Sequence, residues 1–566
     1  MSRLTADEAI ARYGPSTGDR IRLADTDLWI RVAEDRQALG DEPQWGYGKN
    51  LRERMAQAGR AGPSELDSVI LGAVVVDAAI GVVKADIGIK DGRVAGVGRA
   101  GNPAISDGID LEIGPHTAPI SAYGLLATPG TVDSHVHTIS PRLLPAALSG
   151  GVTTLVTAGF GEPPWAMARM LAALGDWPVN VGLQAGARAE DDAALETLVE
   201  AGAIGFKIHE DYGAYPELID RTLAFAESRG VAVALHTDGL HESAELEDTV
   251  AAIGGRTVHA YHVEGTAGGH LPDLLGLVRE ANIVCSSTTP TVPYGVNAPA
   301  EHLPMIVLNH GGSFGLPGDV ELARERIHPR TMAAEGPLHE LGAIAIVNSD
   351  SQGMGRIMES VRRTLQLAHV MKAWRATEAG TGHPGLAAQA ADRFDDTERV
   401  LRYLSKVSLE PAITHGLADH VGSLRPGRLA DIVLWKPAFF GVKPELVLKG
   451  GYPAWGPLGD GNATVERAEP TRYRADWGGA GSVAAGLGLT FAAPGTGRAL
   501  ARRSRLSRPV VEIGRTRGLT RADLAMNTAT AAIEIDPLDG RVMLGGRDLA
   551  VEPVVDLPLN RAYWLR

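Results

Sequence analysis

Histidine, lysine and aspartate side chains stand at the ends of five short apolar runs. The runs are 125–136, 203–208, 231–235, 257–261 and 343–347, and the side chains that end or follow them are His135, His137, Lys207, His209, His236, His262 and Asp350. Imidazole nitrogens and carboxylate oxygens bind metals, and residues two apart on a strand point to the same side. One His-x-His pair is weak evidence alone. The same placement after five runs favours a metal site.

The ligand set is too large for one catalytic ion, which needs an open coordination position. Four imidazoles and one carboxylate suit two ions if an anionic group bridges them. Lys207 could supply the bridge, because a buried lysine loses its proton readily and a neutral amine can add CO₂ to form a carbamate. Taken singly, His236 or His262 could be hydrogen-bonded core residues, Asp350 a helix N-cap, and Lys207 an ion-paired side chain.

The elements that must position these side chains alternate between helix and strand. The helical pattern of 216–229 begins at Pro216 and stops before Gly230, and the apolar run 231–235 follows it. Helical stretches at 242–253 and 273–280 precede further apolar runs. This alternation predicts an α/β fold of parallel units, with a (β/α)₈ TIM-type barrel expected first and a doubly wound sheet second. Barrel enzymes place their active sites where the carboxyl ends of the strands meet.

The flanking segments show the alternating pattern of β-strands. Asp91-Gly92 separates the runs 85–90 and 93–97, which predicts a hairpin because glycine tolerates the positive φ of a type I′ turn. The segment GSLRPGRLADIVLW at 422–435 again has the pattern of a turn followed by a strand. We therefore expect a composite β-rich domain formed by residues 1–128 and 421–566, around a metal-binding barrel at 129–420.

Composition and charge exclude several classes of protein. The 566 residues are 44% hydrophobic and 22% charged, as in soluble globular proteins, and the formal net charge of −14 without a basic run argues against nucleic acid. The single cysteine, Cys285, excludes a disulfide framework and a cysteine-based zinc site. We expect a cytoplasmic protein without membrane contact, because no apolar run approaches the roughly 18 residues of a membrane span and the first residues are polar.

Several longer motifs resemble the urease α subunit, a member of the amidohydrolase superfamily, along nearly the whole chain. They are GPSTGDRIRLADTDLWI (14–30), GFKIHEDYG (205–213), HTDGLHES (236–243), HAYHVEGTAGGH (259–270), SSTTPTVPYGVNAPAEHL (286–303), NSDSQGMGR (348–356), PAITHG (411–416) and ADIVLWKPAFFGVKPELVLKGG (430–451). The resemblance implies hydrolysis of urea to ammonia and carbamate by a hydroxide that bridges two Ni²⁺ ions. Imidazole suits Zn²⁺ as well, so spacing alone leaves the metal open.

The resemblance also implies a role for each candidate residue. Lys207, modified by CO₂ to N6-carboxylysine, would bridge both metal ions. The remaining metal ligands would be His236 and His262 on one ion and His135, His137 and Asp350 on the other.

Other residues would serve the substrate and the proton transfers. His209 would bind the carbonyl oxygen of urea, with Ala267 and Gly353 close to the substrate. His310 would be a general acid on a mobile flap, positioned by Asp211 and Arg326.

Three departures from the family pattern concern the pocket. Asn309 stands where the family has a cysteine before the flap histidine, the loop 157–165 is shortened, and Ala267 replaces a glycine. The ligands are intact, so urea hydrolysis is the leading hypothesis. Two alternatives stay open: a binuclear amidohydrolase that acts on a substituted urea, a guanidine or a cyclic amide, and an inactive urease-like scaffold subunit.

The resemblance covers the α subunit alone, without the smaller subunits that some relatives fuse to it. It therefore implies separate urease β and γ subunits in a trimer of heterotrimers, together with accessory proteins that load nickel.

Overall fold

The computed structural model describes residues 4–560 except 47–48, 52, 141, 160–162, 189–190, 210–212, 237–245, 266–271, 378, 384–385, 387–391, 459–471, 476 and 480. The first part of the chain forms a helix, α1 (Ala6–Tyr13), and then ten strands. These are β1 (Arg20–Arg22), β2 (Trp29–Arg31), β3 (Glu34–Asp35), β4 (Ser68–Asp77), β5 (Gly81–Lys90), β6 (Arg93–Gly98), β7 (Ala100–Gly101), β8 (Leu111–Glu112), β9 (Ala118–Ser121) and β10 (Leu126–Pro129).

In the described residues of the middle of the chain there are eight strands and eleven α-helices. The strands are β11 (Thr131–Val136), β12 (Val152–Thr157), β13 (Asn180–Gly186), β14 (Ala203–Ile208), β15 (Ala232–His236), β16 (Val258–Tyr261), β17 (Ile283–Thr288) and β18 (Ile346–Asn348). The helices are α2 (Leu143–Ser149), α3 (Pro164–Ala173), α4 (Asp192–Ala201), α5 (Pro216–Arg229), α6 (Leu246–Ile253), α7 (Ala298–Asn309), α8 (Pro317–Glu325), α9 (Pro329–Leu341), α10 (Ser360–Arg375), α11 (Thr397–Ser405) and α12 (Leu409–Thr414).

The last part of the chain returns to short strands. They are β19 (Ile432–Trp435), β20 (Leu446–Lys449), β21 (Tyr452–Leu458), β22 (Arg472–Ala475), β23 (Thr490–Ala492), β24 (Val510–Glu512), β25 (Ile533–Ile535), β26 (Val542–Leu544) and β27 (Arg547–Asp548), with the helices α13 (Val483–Leu487) and α14 (Gly497–Arg503) between them.

Strands β11 to β18 form a parallel barrel in sequence order. Val136 at the end of β11 bridges to Ser351 beyond β18, and the His137 N–H donates to the Ser351 carbonyl at 2.9 Å, which closes the barrel. The predicted (β/α)₈ TIM-type barrel is confirmed. All eight strands run in one direction, so their carboxyl ends share one face.

Two helices of the barrel show how the sequence sets their ends, and α5 has the predicted bounds. The Asp191 side chain accepts a hydrogen bond from the Ala194 N–H and so caps α4, which ends at Gly202 with φ of 118°. Pro216 is the first residue of α5, and the helix ends at Gly230 with φ of 66°. Only glycine adopts such left-handed backbone without strain, so each helix stops there and the chain turns into the next strand.

The flanks build a second, mixed sheet. Its strand order is β22-β21-β20-β19-β10-β4-β5-β3, with β6 paired to β5 and β9 paired to β4. Strand β10 runs antiparallel to β19, so the two ends of the chain meet at the centre of this sheet. The predicted composite β-rich domain is therefore present. The predicted hairpin is confirmed as well, with φ of 50° at Asp91 and 72° at Gly92.

Two details differ from the sequence expectation. The run 125–136 is two strands in two sheets, β10 and β11, because the chain leaves the flank sheet at Gly130. A Cβ at Gly130 would lie 2.2 Å from Oγ1 of Thr153, so the backbone can turn this closely only without a side chain. The stretch 273–280 forms a 3₁₀ helix, Pro272–Arg279, rather than an α-helix.

The C-terminal strands also contact the barrel, since β23 pairs with β13 through Val181 and Thr490. The domain limits 1–128, 129–420 and 421–566 stay predictions. Within the described residues, no helix is both long enough and apolar enough to cross a lipid bilayer.

Candidate metal centre

The carboxyl ends of five barrel strands carry the six predicted metal ligands. His135 lies in β11 and His137 follows that strand, Lys207 lies in β14, His236 ends β15, His262 follows β16, and Asp350 follows β18. All six side chains are buried. The barrel brings residues that are more than 200 positions apart in the chain onto one face.

The carboxylate of Asp350 lies between two histidine rings. Its Oδ1 is 2.9 Å from Nε2 of His137 and 3.4 Å from Nε2 of His135. His135, His262 and Asp350 each place one potential ligand atom within 4.8 Å of the others. A set of two imidazoles and a carboxylate at this spacing suits a divalent transition metal.

The remaining rings extend this cluster to one side. The ring centroid of His236 lies 4.2 Å from that of His262, and His262 lies 4.9 Å from His135. His209 stacks on His236 at 4.0 Å with an interplanar angle of 19°. The imidazoles thus form one continuous group, with His209 at its outer edge.

Two of the ligand candidates have left-handed backbone conformations. The φ angle is 40° at His262 and 52° at Asp350, and neither residue is glycine. Such conformations cost about 1–3 kcal/mol each and persist where the surroundings enforce them, often at functional sites. His262 directly follows β16, and Asp350 is the second residue after β18, so in both cases the strained turn beyond a strand end directs the side chain toward the cluster.

Burial sets the charge of these groups. It lowers the pKa of His135 well below its ordinary value, helped by the nearby Lys207, and it lowers the pKa of His137 against the opposing hydrogen bond with Asp350. Burial acts to raise the pKa of Asp350, but the hydrogen bond and charge of His137 outweigh it and hold that pKa below its usual range. Neutral imidazoles beside an ionised carboxylate are the protonation states that a metal ion requires.

The donor atoms at the centre fit a cation. In the described part of the chain, neither ring nitrogen of His135 makes a hydrogen bond, although the side chain is fully buried. Buried polar atoms are nearly always hydrogen-bonded unless an ion or ligand takes their lone pairs. His135 and Asp350 together therefore present both charge and lone pairs to a metal ion.

Asp133 holds two of the ligand segments together. Its carboxylate accepts hydrogen bonds from the backbone N–H of His135 at 3.2 Å, from the N–H of Ser349 at 3.1 Å and from Oγ of Ser360 at 3.3 Å. Burial raises its pKa to about 6. Asp133 thus ties the end of β11 to the segment that carries Asp350.

Helices α7 and α8 lie beside the cluster and carry the predicted proton-transfer residues. His310 directly follows α7, and its ring centroid is 6.5 Å from His209 and 6.3 Å from His236. Arg326 follows α8 and is 8% exposed. His310 and Arg326 both line a cavity of about 220 Å³ between these helices.

The segment after Asp350 comes very close to the ligands. A Cβ on Gly353 would lie 2.4 Å from Oδ1 of Asp350 and 2.8 Å from the His137 ring. The Asn309 side chain, next to His310, donates a hydrogen bond from Nδ2 to the Gly353 carbonyl at 3.3 Å. Asn309 thus links the flap to this segment. The predicted residues Asp211 and Ala267, and positions 160–162 of the shortened loop, lie outside the described residues.

Sequence patterns missed two buried residues beside the ligands, Tyr261 and Gln184. Both side chains lie in the barrel interior, where the Gln184 amide donates a hydrogen bond to the Tyr261 hydroxyl at 3.0 Å. A tyrosine inside an apolar run is typical of core packing. The only signal was its position directly before His262.

Comparison with known proteins assigns the family. The model of the amidohydrolase family matches residues 126–453, and that of the urease alpha-subunit N-terminal domain matches residues 2–120. Urease subunit alpha 1 of Streptomyces avermitilis is 45% identical over 98% of this chain and 99% of its own length. The chain belongs to the urease α-subunit family. Urease subunit alpha 2 of Streptomyces coelicolor is 44% identical over 98% of both chains.

The barrel of this urease-family chain also resembles a solved structure outside the urease family. The D-hydantoinase (dihydropyrimidinase) from Thermus sp. superposes with a TM-score of 0.50 at 16% identity, covering 68% of this chain and 95% of that structure. At this identity the likeness concerns the fold alone. It supports the barrel and does not identify a substrate.

Proposed function

We propose that this chain is the catalytic subunit of a urease and hydrolyses urea to ammonia and carbamate with two nickel ions. The proposal joins the family membership to the cluster at the carboxyl ends of the barrel strands. The single observation that carries it is the convergence of four buried histidines, one ionised aspartate and one buried lysine from five strands.

We propose that each side of the cluster holds one ion. The first ion would be bound by His236 and His262, and the second by His135, His137 and Asp350. Lys207, as N6-carboxylysine, would bridge them. Lys207 is 2% exposed, and burial of a lysine favours the neutral amine, the form that can add CO₂. Conversion to a carbamate would supply the anionic bridge that two cations need.

Metal ions held by these residues would supply electrophilic assistance to the carbonyl of urea and a source of hydroxide near neutral pH. The protein residues then have three tasks: to bind the substrate, to orient it and to deliver a proton. Zinc would fit the same imidazole-rich donors, so nickel is the part of the proposal that rests most on the family.

Binding and orientation fall to His209 and the segment around Gly353. His209 stacks on His236 at the edge of the cluster, where its ring can donate a hydrogen bond to the carbonyl oxygen of urea. The backbone at Gly353 lies against His137 and Asp350 and offers polar groups to the amide nitrogens. From the family resemblance, Ala267 would also be close to the substrate.

Proton delivery falls to His310. Hydrolysis of urea by water breaks one C–N bond, and the leaving nitrogen must gain a proton to depart as ammonia. A histidine can supply it near neutral pH. The ring centroid of His310 lies 6.5 Å from that of His209 and 6.3 Å from that of His236, so His310 stands at the edge of the proposed pocket, beside the ring that would bind the carbonyl oxygen. Arg326 and Asp211 would position and tune this ring.

We further propose the assembly and location that go with this activity. The chain would act in the cytoplasm with urease β and γ subunits, in a trimer of heterotrimers, after accessory proteins have loaded nickel and CO₂. Residues 129–420 would form the catalytic domain, with the flanks 1–128 and 421–566 as its support.

Ammonia release from urea is the direct test. Protein loaded with about two nickel ions per chain should release ammonia from urea faster than from N-methylurea, guanidine or hydantoin. An Asp350→Ala variant provides the matched control, because it retains the fold but lacks one ligand. Full metal occupancy without ammonia release from urea would refute the proposal, and a higher rate on another compound of the panel would replace urea as the substrate.

A further inference from the structure

The side chain of Tyr261 lies at the centre of the barrel, directly beneath the proposed metal ligands. It is 0% exposed. Its ring stacks on that of His135 at a centroid distance of 4.0 Å and an interplanar angle of 18°. The Nζ atom of Lys207 lies 3.7 Å from the centroid of the same ring. One aromatic face therefore contacts two proposed ligands, and Tyr261 itself directly precedes a third, His262.

Hydrogen bonds hold this ring in place from both sides of the barrel. The Tyr261 hydroxyl donates to the Ser134 carbonyl at 2.6 Å, next to His135, and accepts from Nε2 of Gln184 at 3.0 Å. Nε2 of Gln184 also donates to the Thr157 carbonyl at 2.9 Å. The hydroxyl thus connects β16 to β11 and, through Gln184, to β12 and β13.

A second pair of rings supports Tyr261 from below. The ring of His259, two residues earlier on β16, meets Tyr261 edge to face at 4.6 Å and 88°. Nδ1 of His259 lies 3.0 Å from Nε2 of His415. The tyrosine ring is therefore fixed at its hydroxyl end and along one edge, so its orientation does not depend on the ligands above it.

We propose that Tyr261 is a positioning residue whose ring aligns His135 and Lys207 for the binding of two metal ions. The inference rests on the proposed metal centre. Lys207 has a flexible four-carbon side chain, and its close contact with a fixed aromatic face sterically limits the directions in which that chain can carry its terminal group, as an amine or as a carbamate. The stack fixes the plane of the His135 ring, and a metal ligand must hold its lone pair toward the ion.

The separate parts of Tyr261 predict graded effects. Tyr261→Met removes the ring and leaves a smaller, unbranched apolar side chain, so both ligand contacts disappear. Tyr261→Phe keeps the ring and removes the hydroxyl, with its hydrogen bonds to Ser134 and Gln184. Outer residues that orient metal ligands typically change metal affinity by about 10–100-fold. We expect Tyr261→Met to lose about 100-fold and Tyr261→Phe about 3–10-fold.

Tyr403 offers a matched control far from the cluster. It is also 0% exposed, and its hydroxyl donates to Oε2 of Glu340 at 2.9 Å. Tyr403→Phe and Tyr403→Met thus remove the same chemical groups from a buried tyrosine of α11. Loss of packing alone should lower thermal stability in both pairs, whereas only the Tyr261 variants should lose metal affinity.

The experiment measures nickel affinity by competition with a chelator and metal content by elemental analysis. The carbamate on Lys207 is followed separately with ¹³C-labelled CO₂ by NMR. We expect wild type and both Tyr403 variants to hold about two ions per chain, with Tyr261→Phe slightly weaker and Tyr261→Met binding about one ion or fewer without a stable carbamate.

Every outcome decides the inference. Tyr261→Met with wild-type affinity and carbamate would overturn it. If Tyr261→Met does not fold, Tyr261→Leu, which also lacks the ring, is measured beside Tyr403→Leu; metal affinity lost only in Tyr261→Leu supports the inference, and wild-type affinity in Tyr261→Leu overturns it. Wild-type protein that binds no metal would instead refute the proposed function, so the two failures are distinguishable.

Discussion

Two clusters of buried histidines lie in the same barrel and differ in their partners. The upper cluster contains His135 and His137 at the carboxyl end of β11, with the Asp350 carboxylate between them. The lower cluster is His259 on β16 with His415 after α12, and these two rings lie 3.0 Å apart. Burial lowers the pKa of all four rings, to about 4 for His415.

The comparison shows which features mark a metal site. A buried, neutral imidazole occurs in both clusters, so burial and a lowered pKa do not distinguish them. In the lower cluster, Nδ1 of His259 is hydrogen-bonded to Nε2 of His415. Among the described residues, no carboxylate lies between these two rings. Within the same described ranges, each ring of the lower cluster also has one buried nitrogen without a hydrogen bond, so that feature does not separate the clusters either. The upper cluster differs in its carboxylate and in the left-handed backbone at His262 and Asp350.

The largest effect should separate the two clusters directly. His137→Ala removes one proposed ligand, so we expect about one metal ion per chain or fewer and ammonia release at the level of the background. His415→Gln should keep both ions and most of the activity. Elemental analysis and ammonia release measure both variants. Equal metal loss in the two variants would show that the comparison is wrong.

A proton donor should affect catalysis without affecting metal binding. His310→Gln removes the proposed general acid, and such groups typically contribute about 10²–10⁴-fold to the rate. We therefore expect kcat for urea to fall within that range while nickel content stays at the wild-type level. Steady-state kinetics on metal-analysed protein tests this. Metal loss in His310→Gln would move His310 from proton transfer to the ligand set.

A smaller loss of nickel affinity should follow when a neighbouring residue displaces the Lys207 side chain. Gly159 has φ of 73°, and a Cβ there would lie 2.6 Å from Cβ of Lys207. Gly159→Ala should displace the Lys207 side chain and lower nickel affinity by about 10–100-fold, as for other residues that orient a ligand. Gly495, with φ of 79° and no atom within 4 Å of such a Cβ, provides the control substitution Gly495→Ala. Similar affinities for the two variants would argue against Lys207 as a bridging ligand.

The lower cluster should affect acid stability rather than activity. The pKa of His415 is about 4 in the folded protein and about 6.5 ordinarily, so the unfolded chain binds the proton first as the pH falls. Stability should therefore decrease from about pH 6.5 through about pH 4, by about 3 kcal/mol for this residue at about 1.36 kcal/mol per pH unit. Guanidinium chloride unfolding of metal-free protein should show a correspondingly smaller decrease for His415→Gln. An equal decrease in both proteins would contradict the assignment.

Thiol reagents should leave the activity of the wild-type protein unchanged, which is the smallest effect we expect. The single cysteine, Cys285, is 0% exposed, and the flap position before His310 is the exposed Asn309. Iodoacetamide should therefore leave wild-type activity unchanged, whereas Asn309→Cys should create a protein that the reagent inactivates. Activity measured against labelling by mass spectrometry distinguishes the two. Inactivation of wild type in step with labelling of Cys285 would contradict this account.

The sequence predicted the parts of the site that depend on chain order. Apolar runs locate the strands, and a residue at the end of a parallel strand must lie on the active face of a barrel. For this reason His135, Lys207 and His236 could be placed on one face before their distances were known. The α5 helix was predicted with its bounds, because Pro216 and Gly230 fix its ends.

The remaining features depend on contacts between distant segments. Asp133 and Tyr261 have the pattern of buried strand residues, and only the closed barrel shows that they contact the ligand segments. The break at Gly130 was missed because an apolar run does not show where a chain changes sheets. No local pattern reports the positive φ of His262 and Asp350, since both follow from how the strand ends are held.

Anomalous diffraction at the nickel absorption edge, from crystals of the nickel-loaded protein, tests the central claim most directly. We predict two peaks, one beside His135, His137 and Asp350 and one beside His236 and His262, with the modified side chain of Lys207 between them. A single peak, or two peaks with Lys207 in contact with neither, would contradict the binuclear centre.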